Sequence, residues 1–178
     1  MLRKILIGVA VLIVALVVLV AMQPSTYSVA RSTTISAPPE KVFAQVNDLA
    51  AWKGWSPFEK LDPNAKMTVS SPSAGEGASI SWSGNSEVGE GTMTIIESRP
   101  NELVELEQVF VKPLPGTARM ALTLAPEAGG TRLTWRLTGE NTFTGKAMCL
   151  LMDMESVIGP HFEQGLASIK TIAEGQGA

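Results

Sequence analysis

Glu155 is the residue whose type and position could most directly do chemistry in this chain of 178 residues. It falls inside an apolar stripe that includes Met152 and Ile158, whose members recur at three- and four-residue steps. A carboxyl group held away from water in such a stripe is a candidate acid or base. The alternative is that a bend in the chain turns Glu155 towards water or a backbone partner.

Gln108 and His161 are the next polar candidates. Gln108 stands between Leu106 and Phe110 on a predicted strand face, so its amide either orients a ligand or is satisfied within the core. His161 is the only histidine, and the sequence shows no partner for a general base, which favours a surface or capping role. Because Cys149 is the only cysteine, the chain can form no internal disulfide and lacks residues for most zinc sites and catalytic triads. The sequence therefore predicts no metal and no cofactor.

The stripe around Glu155 predicts one long amphipathic helix over residues 146–174. Its apolar positions are Met148, Leu151, Met152, Ile158, Phe162, Leu166, Ile169 and Ala173. Gly159 and Pro160 predict a bend in this helix, because proline has no N–H to donate and clashes with the preceding turn. Such a helix must lay its apolar stripe on another element.

Most of the upstream sequence alternates between apolar and polar residues, which is typical of antiparallel strands with one buried face. A first strand is predicted over residues 27–36, and two short helices follow within residues 38–53. About six further strands are predicted between residues 67 and 137. The sequence thus predicts an α+β fold in which a curved antiparallel sheet wraps partly around the long C-terminal helix.

The N-terminus carries an apolar segment, residues 5–22, that contains no charge and no proline. Its length suits a membrane span, and the sequence after it offers a poor cleavage site, which favours an uncleaved anchor over a cleaved signal peptide or a buried helix. Arg3 and Lys4 are expected on the cytoplasmic side, which places the rest of the chain on the extracytoplasmic (periplasmic) side. The predicted organisation is an anchor with a linker over residues 1–25, a domain over residues 26–175 and a tail over residues 176–178.

The charge distribution excludes one class of partner. The net charge is −3, and the lysines and arginines are scattered instead of forming a basic stripe. Nucleic-acid binding is therefore not expected. The sequence identifies no protein partner.

Three segments of the chain resemble a known superfamily. They are the aromatic loop over residues 52–58, the glycine-rich segment over residues 75–91, and residues 158–166 of the long helix. With the predicted order of elements, they resemble the START-like or SRPBCC superfamily, and most closely its polyketide cyclase/dehydrase branch. The resemblance covers about residues 27–174. It implies a helix-grip fold, in which many members hold an apolar ligand between the sheet and the long helix.

The tryptophans and methionines could line such a ligand cavity, since methionine adapts to varied apolar surfaces. Ordinary core packing is the alternative for Trp82 and Trp135, and a core or lid position is expected for Trp52 and Trp55. The predicted ligand-binding set is Trp82, Met93, Gln108, Met120, Trp135, Met148, Met152 and Glu155.

Three functional hypotheses follow. The first is a membrane-anchored, non-catalytic domain that binds a hydrophobic small molecule or lipid between the sheet and the C-terminal helix. The second is a cyclase- or dehydratase-like enzyme that uses Glu155 as its acid or base. The third is a protein-interaction module without a pocket, which would show an exposed apolar patch.

Overall fold

The structure is a computed structural model that describes residues 1–150 and 153–175, with all side chains in these ranges except those of Glu59, Lys60 and Cys149. Its helices are α1 (Leu2–Ala21), α2 (Pro39–Asn47), α3 (Phe143–Cys149) and α4 (Met154–Ala173), with short 3₁₀ turns at Ala51–Gly54 and Pro57–Lys60. Its strands are β1 (Thr26–Ile35), β2 (Lys66–Val69), β3 (Ser79–Ser83), β4 (Glu90–Arg99), β5 (Leu103–Lys112), β6 (Gly116–Glu127) and β7 (Gly130–Glu140).

Helix α1 is apolar from Ile5 to its end at Ala21, after Arg3 and Lys4 in its first turn. It is long and apolar enough to cross a membrane, and a signal sequence near an N-terminus would meet the same criteria. Among its residues only Val20 is buried. The helix therefore presents almost all of its apolar side chains to its surroundings.

In the described residues, seven strands form a curved antiparallel sheet in the order β1-β7-β6-β5-β4-β3-β2. The tight connections use residues that tolerate a positive φ, with Asn101 at 64° between β4 and β5 and Gly129 at 88° between β6 and β7. The prediction of a first strand followed by about six more is confirmed, as is the α+β helix-grip architecture.

The strands separate their side chains onto two faces, as the alternation in the sequence predicts. One face, which we call the inner face, carries most of the core and lies towards α2 and α4. Its buried members include Val29, Ile80, Met93, Ile95, Leu106, Met120, Leu122, Leu133, Trp135 and Leu137. Residues between them, such as Ser81, Arg119 and Arg136, are exposed on the outer face.

Helix α4 covers the inner face where β1 and β7 lie side by side. Phe162 stacks on Trp135 with ring centroids 4.2 Å apart and ring planes 11° apart. A side chain at Gly165 would lie 2.6 Å from the Trp135 ring, so the absence of one lets the helix approach the sheet. Leu166 and Ile169 extend the same buried stripe, and their positions agree with the predicted helical spacing.

The prediction of one long helix over residues 146–174 is wrong, because α3 ends at Cys149 and α4 begins at Met154. Asp153 starts α4: its carboxylate accepts hydrogen bonds from the backbone N–H of Glu155 at 3.2 Å and from the hydroxyl of Ser156 at 2.7 Å. The helix then continues through Gly159 and Pro160, the two residues at which a bend was predicted. Because Pro160 has no backbone N–H, the carbonyl of Ser156 lacks its helical hydrogen bond. Ser156 is exposed, so a water molecule can donate to this carbonyl instead.

Candidate functional site

Five predicted site residues lie on the inner face, as the strand register shows. Gln108 on β5 is directly opposite Met93 on β4, and Trp82 on β3 is opposite Gly91, two residues before Met93. Met120 on β6 lies opposite Leu106, and Trp135 on β7 lies opposite Leu122, which is also an inner-face residue. The structure therefore brings Trp82, Met93, Gln108, Met120 and Trp135 onto one surface.

One row of neighbours on the inner face combines a polar residue with two small ones. The row runs across the sheet through Tyr27, Gly139, Ala118, Gln108 and Met93. The Tyr27 ring lies over Gly139, where a side chain would collide with it. Ala118 is only 2% exposed, so neighbouring side chains cover both small residues, and we call these five residues the small-residue row.

Gln108 is half-buried within the small-residue row, and its partner is weak. Its amide nitrogen donates to the sulfur of Met93 at 3.4 Å. A thioether sulfur is a poor hydrogen-bond acceptor, so this contact satisfies the amide only partly. Gln108 can therefore still hydrogen-bond a polar group of a molecule that enters from this side.

Trp135 is fully buried and carries an unpaired donor. Its ring lies between Phe162 and the edge of Trp55, whose ring centroid is 5.5 Å away. The indole N–H of Trp135 has no hydrogen-bond partner among the described residues. Leaving a buried donor unsatisfied costs about 1–3 kcal/mol, so a water molecule or a ligand oxygen here would stabilise the protein.

The other tryptophans donate to backbone carbonyls. Trp52 donates to Val46 at 3.1 Å, Trp55 donates to Gln45 at 3.0 Å, and both rings are buried, so they belong to the core. Trp82 is half-buried and donates to the carbonyl of Val88 at 3.2 Å. Its ring meets Phe110 edge-on, with centroids 5.8 Å apart. Trp82 thus lies on the part of the inner face that is less covered than the surroundings of Trp135.

An open groove lies between the start of β1 and the first turn of α4. Its volume is about 320 Å³, and sequence reasoning did not predict it. Its lining is about as polar as it is apolar: β1 contributes residues 26–29, including Thr26 and Ser28 beside Tyr27 and Val29, and the start of α4 contributes residues 153–155. Gln23 and Pro24, which follow α1, close one end. The groove therefore lies between the end of α1 and the edge of the inner face at Val29. The one sequence feature that could have indicated it is Asp153, because aspartate is a preferred residue at the start of a helix.

A second groove, of about 280 Å³, differs in character. It lies against β2, β3 and β4 and is lined mainly by outer-face polar residues, among them Thr68, Ser81 and Thr92. Nothing in this groove connects it with the predicted site residues except the edge of Trp82.

Glu155 does not occupy the apolar setting expected from its position in the stripe. Its side chain is 49% exposed and forms an ion pair with Arg31. Glu155 precedes the buried Gly159 and Phe162 by four and seven residues, so it is in line with the stripe, but it lies in the first turn of α4, where its side chain reaches solvent and Arg31. Of the two alternatives for Glu155, the structure therefore agrees with a carboxylate that reaches water, and not with a buried carboxyl group, although Glu155 does line the groove.

Arg31 was missed by sequence reasoning. It lies on β1 opposite Trp135, and its guanidinium contacts two carboxylates of α4, that of Glu155 and that of Glu163, the latter at 2.7 Å. The hydrogen bonds that it donates to Glu155 and Glu163 raise the pKa of Arg31. The only sequence signal is a charged residue on the strand face that also carries Val29 and Ile35.

The remaining candidates lie elsewhere. Met148 is on α3 and is 39% exposed, and Met152 lies outside the described residues. The ring of His161 packs beside Phe58 with centroids 5.5 Å apart, which fits a structural role. No group of three or more histidine, cysteine, aspartate or glutamate side chains placed to hold a metal occurs within residues 1–150 and 153–175.

Solved structures with the same fold show what this arrangement resembles. The protein CV1439 from Chromobacterium violaceum is 21% identical, with a TM-score of 0.59, and the match covers 85% of this chain and 98% of that one. The protein MLL2253 from Mesorhizobium loti is 15% identical, with a TM-score of 0.61 and coverage of 85% and 100%. At these identities the likeness demonstrates the fold alone.

A third solved structure has a described biosynthetic context. The di-domain aromatase/cyclase StfQ of the steffimycin pathway is 10% identical, with a TM-score of 0.60, and the match covers 85% of this chain and 51% of StfQ. This chain therefore corresponds to about half of that protein. No curated protein sequence is significantly similar to the chain.

A family model matches residues 26–174, which include the whole sheet, α3 and α4. The model is described as polyketide cyclase/dehydrase and lipid transport. Because the match extends over most of the chain, this protein belongs to the polyketide cyclase/dehydrase and lipid transport family.

Proposed function

We propose that this protein is a membrane-anchored domain that binds a hydrophobic small molecule or lipid between the inner face of its sheet and α4, without catalysing a reaction. The observation that carries the proposal is the groove between β1 and α4, which leads from the end of α1 to the inner face. Its volume of about 320 Å³ is at the lower end of the range of small-molecule sites.

Beyond the groove the ligand would extend along the small-residue row, where it would displace the Tyr27 ring from Gly139. Tyr27 belongs both to the groove and to this row, and Gly139 and Ala118 follow it across the sheet. A chain or ring that passes beside Tyr27 would contact these small residues and then Gln108. A ligand that buries roughly 300 Å² of apolar surface gains about 7 kcal/mol before association costs.

Two polar groups would orient the ligand. Gln108 has only a sulfur acceptor for its amide N–H, and the indole N–H of Trp135 has no partner among the described residues. Both are donors, so the ligand best suited to this face carries an oxygen acceptor on an otherwise apolar body.

The membrane part of the proposal rests on α1. A 20-residue apolar helix with almost all of its side chains exposed has the length and the surface of a membrane span. Arg3 and Lys4 precede its apolar run, so the positive-inside tendency places the domain on the extracytoplasmic, periplasmic side.

An enzyme of the cyclase or dehydratase type is the second candidate, because Glu155 brings a carboxylate to the groove. That carboxylate is half exposed and pairs with Arg31, whereas acid–base catalysis usually requires a less solvated carboxyl group. The binding function is therefore favoured. The substitution Glu155→Gln separates the two, since a carrier keeps its ligand and an enzyme loses turnover.

Native mass spectrometry of the full chain, purified in a mild detergent from a host with its own membranes, tests the proposal. A bound small mass that is removed by organic extraction supports a binding domain and gives the ligand's formula. A ligand-free mass, repeated after the protein is offered a panel of lipids and aromatic compounds, contradicts the proposal and favours a protein-interaction module.

A further inference from the structure

We infer that α3 is a membrane-surface helix whose exposed apolar side chains lie at the boundary between lipid headgroups and acyl chains, so that the groove opens at the bilayer. This inference rests on the proposed function, because it requires α1 to span the membrane. The partner is the lipid bilayer itself.

The first observation is that α3 is attached to the end of α1. The ammonium group of Lys146 donates to the carbonyl of Ala21, the last residue of α1, at 3.3 Å. The two helices are in contact, and Val20 is only 4% exposed. If α1 spans the bilayer, its contact with α3 places α3 at the depth where the span ends.

The connection after α1 holds this arrangement in one orientation. The backbone N–H of Asn141 donates to Ser25 at 2.8 Å, and its side-chain amide donates to Pro24 at 3.1 Å. Strand β1 begins at the next residue, Thr26, and pairs with the end of β7. The linker is therefore part of the folded structure, and the domain cannot turn freely about α1.

The exposed apolar side chains of α3 and its flanks fit this depth. Phe143 is 56% exposed, Met148 39% and Leu150 41%, and Met22 beside them is 77% exposed. Apolar residues with a neighbouring lysine are typical of helices that lie in the membrane interface. By contrast, the turns at the opposite end of the strands, residues 100–102 and 128–129, contain no exposed large apolar residue in the described structure.

Continuity with α1 favours lipid over a protein partner. The apolar surface of α1 is exposed along the whole helix, and α3 extends that surface at its last turn. If α1 spans the bilayer, the apolar side chains of α3 lie next to the end of the span. The lipid is then the nearest apolar surface that they can contact. The contact is apolar, so it should be insensitive to salt.

The consequence concerns the groove. Asn141 immediately precedes the segment that forms α3, Asp153 follows it, and both line the groove together with Gln23 and Pro24. The mouth of the groove therefore lies beside α3, at the same edge of the molecule. A lipid or an apolar molecule dissolved in the bilayer could enter it without crossing water.

Depth-dependent fluorescence quenching of the full chain in liposomes tests the inference. In a Cys149→Ser background, single cysteines replace Phe143 or Met148 and carry an environment-sensitive dye. The matched control is Ala128→Cys, an exposed position in the turn between β6 and β7, at the opposite end of the strands from α3. We expect spin-labelled lipids to quench the dye at positions 143 and 148 about fivefold more than at 128, and aqueous iodide to show the reverse order at both low and high salt.

Equal iodide quenching at positions 143, 148 and 128 would overturn the inference, as would release of the full chain from liposomes by an alkaline wash. Thermal unfolding of each labelled protein shows whether it is folded. Ligand retention in mass spectrometry separates the two ideas. Lipid quenching without a retained ligand contradicts only the proposed function, and a retained ligand with the α3 labels in water contradicts only the inference.

Discussion

The guanidinium of Arg31 lies against Gly159 in the middle of the contact between β1 and α4. A side chain at Gly159 would collide with it. Glu155 and Glu163, one helical turn before and after Gly159, accept its hydrogen bonds. This arrangement fixes α4 along β1, and thereby fixes one wall of the groove relative to the other.

The first prediction concerns Gly159→Ala. Alanine normally stabilises a helix by about 1 kcal/mol relative to glycine. Here its methyl group would displace the Arg31 guanidinium, the flexible and partly exposed end of that side chain, so we expect the weakened ion pairs to offset this gain and leave the free energy of unfolding nearly unchanged. Thermal unfolding in detergent, followed by the near-ultraviolet circular dichroism of the tryptophans, measures the change.

The control for this substitution is made in an Arg31→Ala background. Without the guanidinium the new methyl group has nothing to displace, and Gly159→Ala should stabilise the chain by about 1 kcal/mol there. If Gly159→Ala stabilises the chain equally in both backgrounds, the contact between Arg31 and Gly159 does not set the position of α4.

The second prediction is a pH dependence from Asp153. Its hydrogen bonds with Ser156 and the backbone N–H of Glu155 lower its pKa in the folded protein. A depressed folded pKa contributes stability that is present above the unfolded value of about 3.9 and is lost as the pH falls through the folded value. We therefore expect the start of α4 to lose stability in acid below about pH 4.

The comparison for Asp153 is Asp153→Asn, which keeps a good capping residue without a titratable group. The melting temperature of this variant should fall less between pH 6 and pH 3 than that of the native chain. Glu127, whose pKa is lowered by hydrogen bonds from Arg132 and Thr34, contributes equally to both proteins. Parallel losses in the two proteins would contradict a role for the Asp153 carboxylate.

The third prediction tests whether the ligand lies on the small-residue row. Ala118→Leu adds a larger side chain on the inner face between Gly139 and Gln108, and we expect the retained ligand to fall at least about tenfold. The matched control is Ala121→Leu, the same change on the outer face of the same strand. Native mass spectrometry measures the bound fraction. Equal retention by both variants would place the ligand elsewhere, provided that both melt near the native temperature.

The fourth prediction uses the unpaired indole of Trp135. With ¹⁵N-labelled tryptophan the full chain in micelles should give four indole N–H signals, one for each tryptophan. When an oxygen-bearing apolar ligand binds, we expect the Trp135 signal to move downfield, because its N–H gains an acceptor. Trp52 and Trp55 already donate to carbonyls and are internal controls. A shift confined to these two residues would contradict the orienting role of Trp135.

Much of the fold could be predicted from the sequence, because the patterns that encode it are local. Alternation in Leu106, Gln108 and Phe110 places these residues on one face of a strand whatever the strand pairs with. The three- and four-residue steps from Phe162 to Ala173 likewise determine which side of α4 is buried. The apolar run of α1 is equally local.

The predicted ligand-binding set combines inner-face residues with residues that lie elsewhere. The two-residue alternation of side chains along each strand was sufficient to place five members on one face: Trp82, Met93, Gln108, Met120 and Trp135. Whether these residues contact a ligand stays a prediction. Met148 was assigned by helical spacing across a break between α3 and α4, so its phase did not carry over. Glu155 is in phase with the buried stripe of α4, but spacing alone could not show that the first turn of α4 is half exposed.

What the sequence by itself determined is the face on which each strand or helix residue lies, since that depends on backbone geometry over a few residues. Only the tertiary structure decided that Arg31 meets Glu155 and Glu163, more than 120 residues away along the chain. The groove beside Tyr27 is likewise formed only when β1, the end of β7 and the first turn of α4 come together. Such contacts depend on register and on the distance between packed elements, and no local pattern of residue types encodes either quantity.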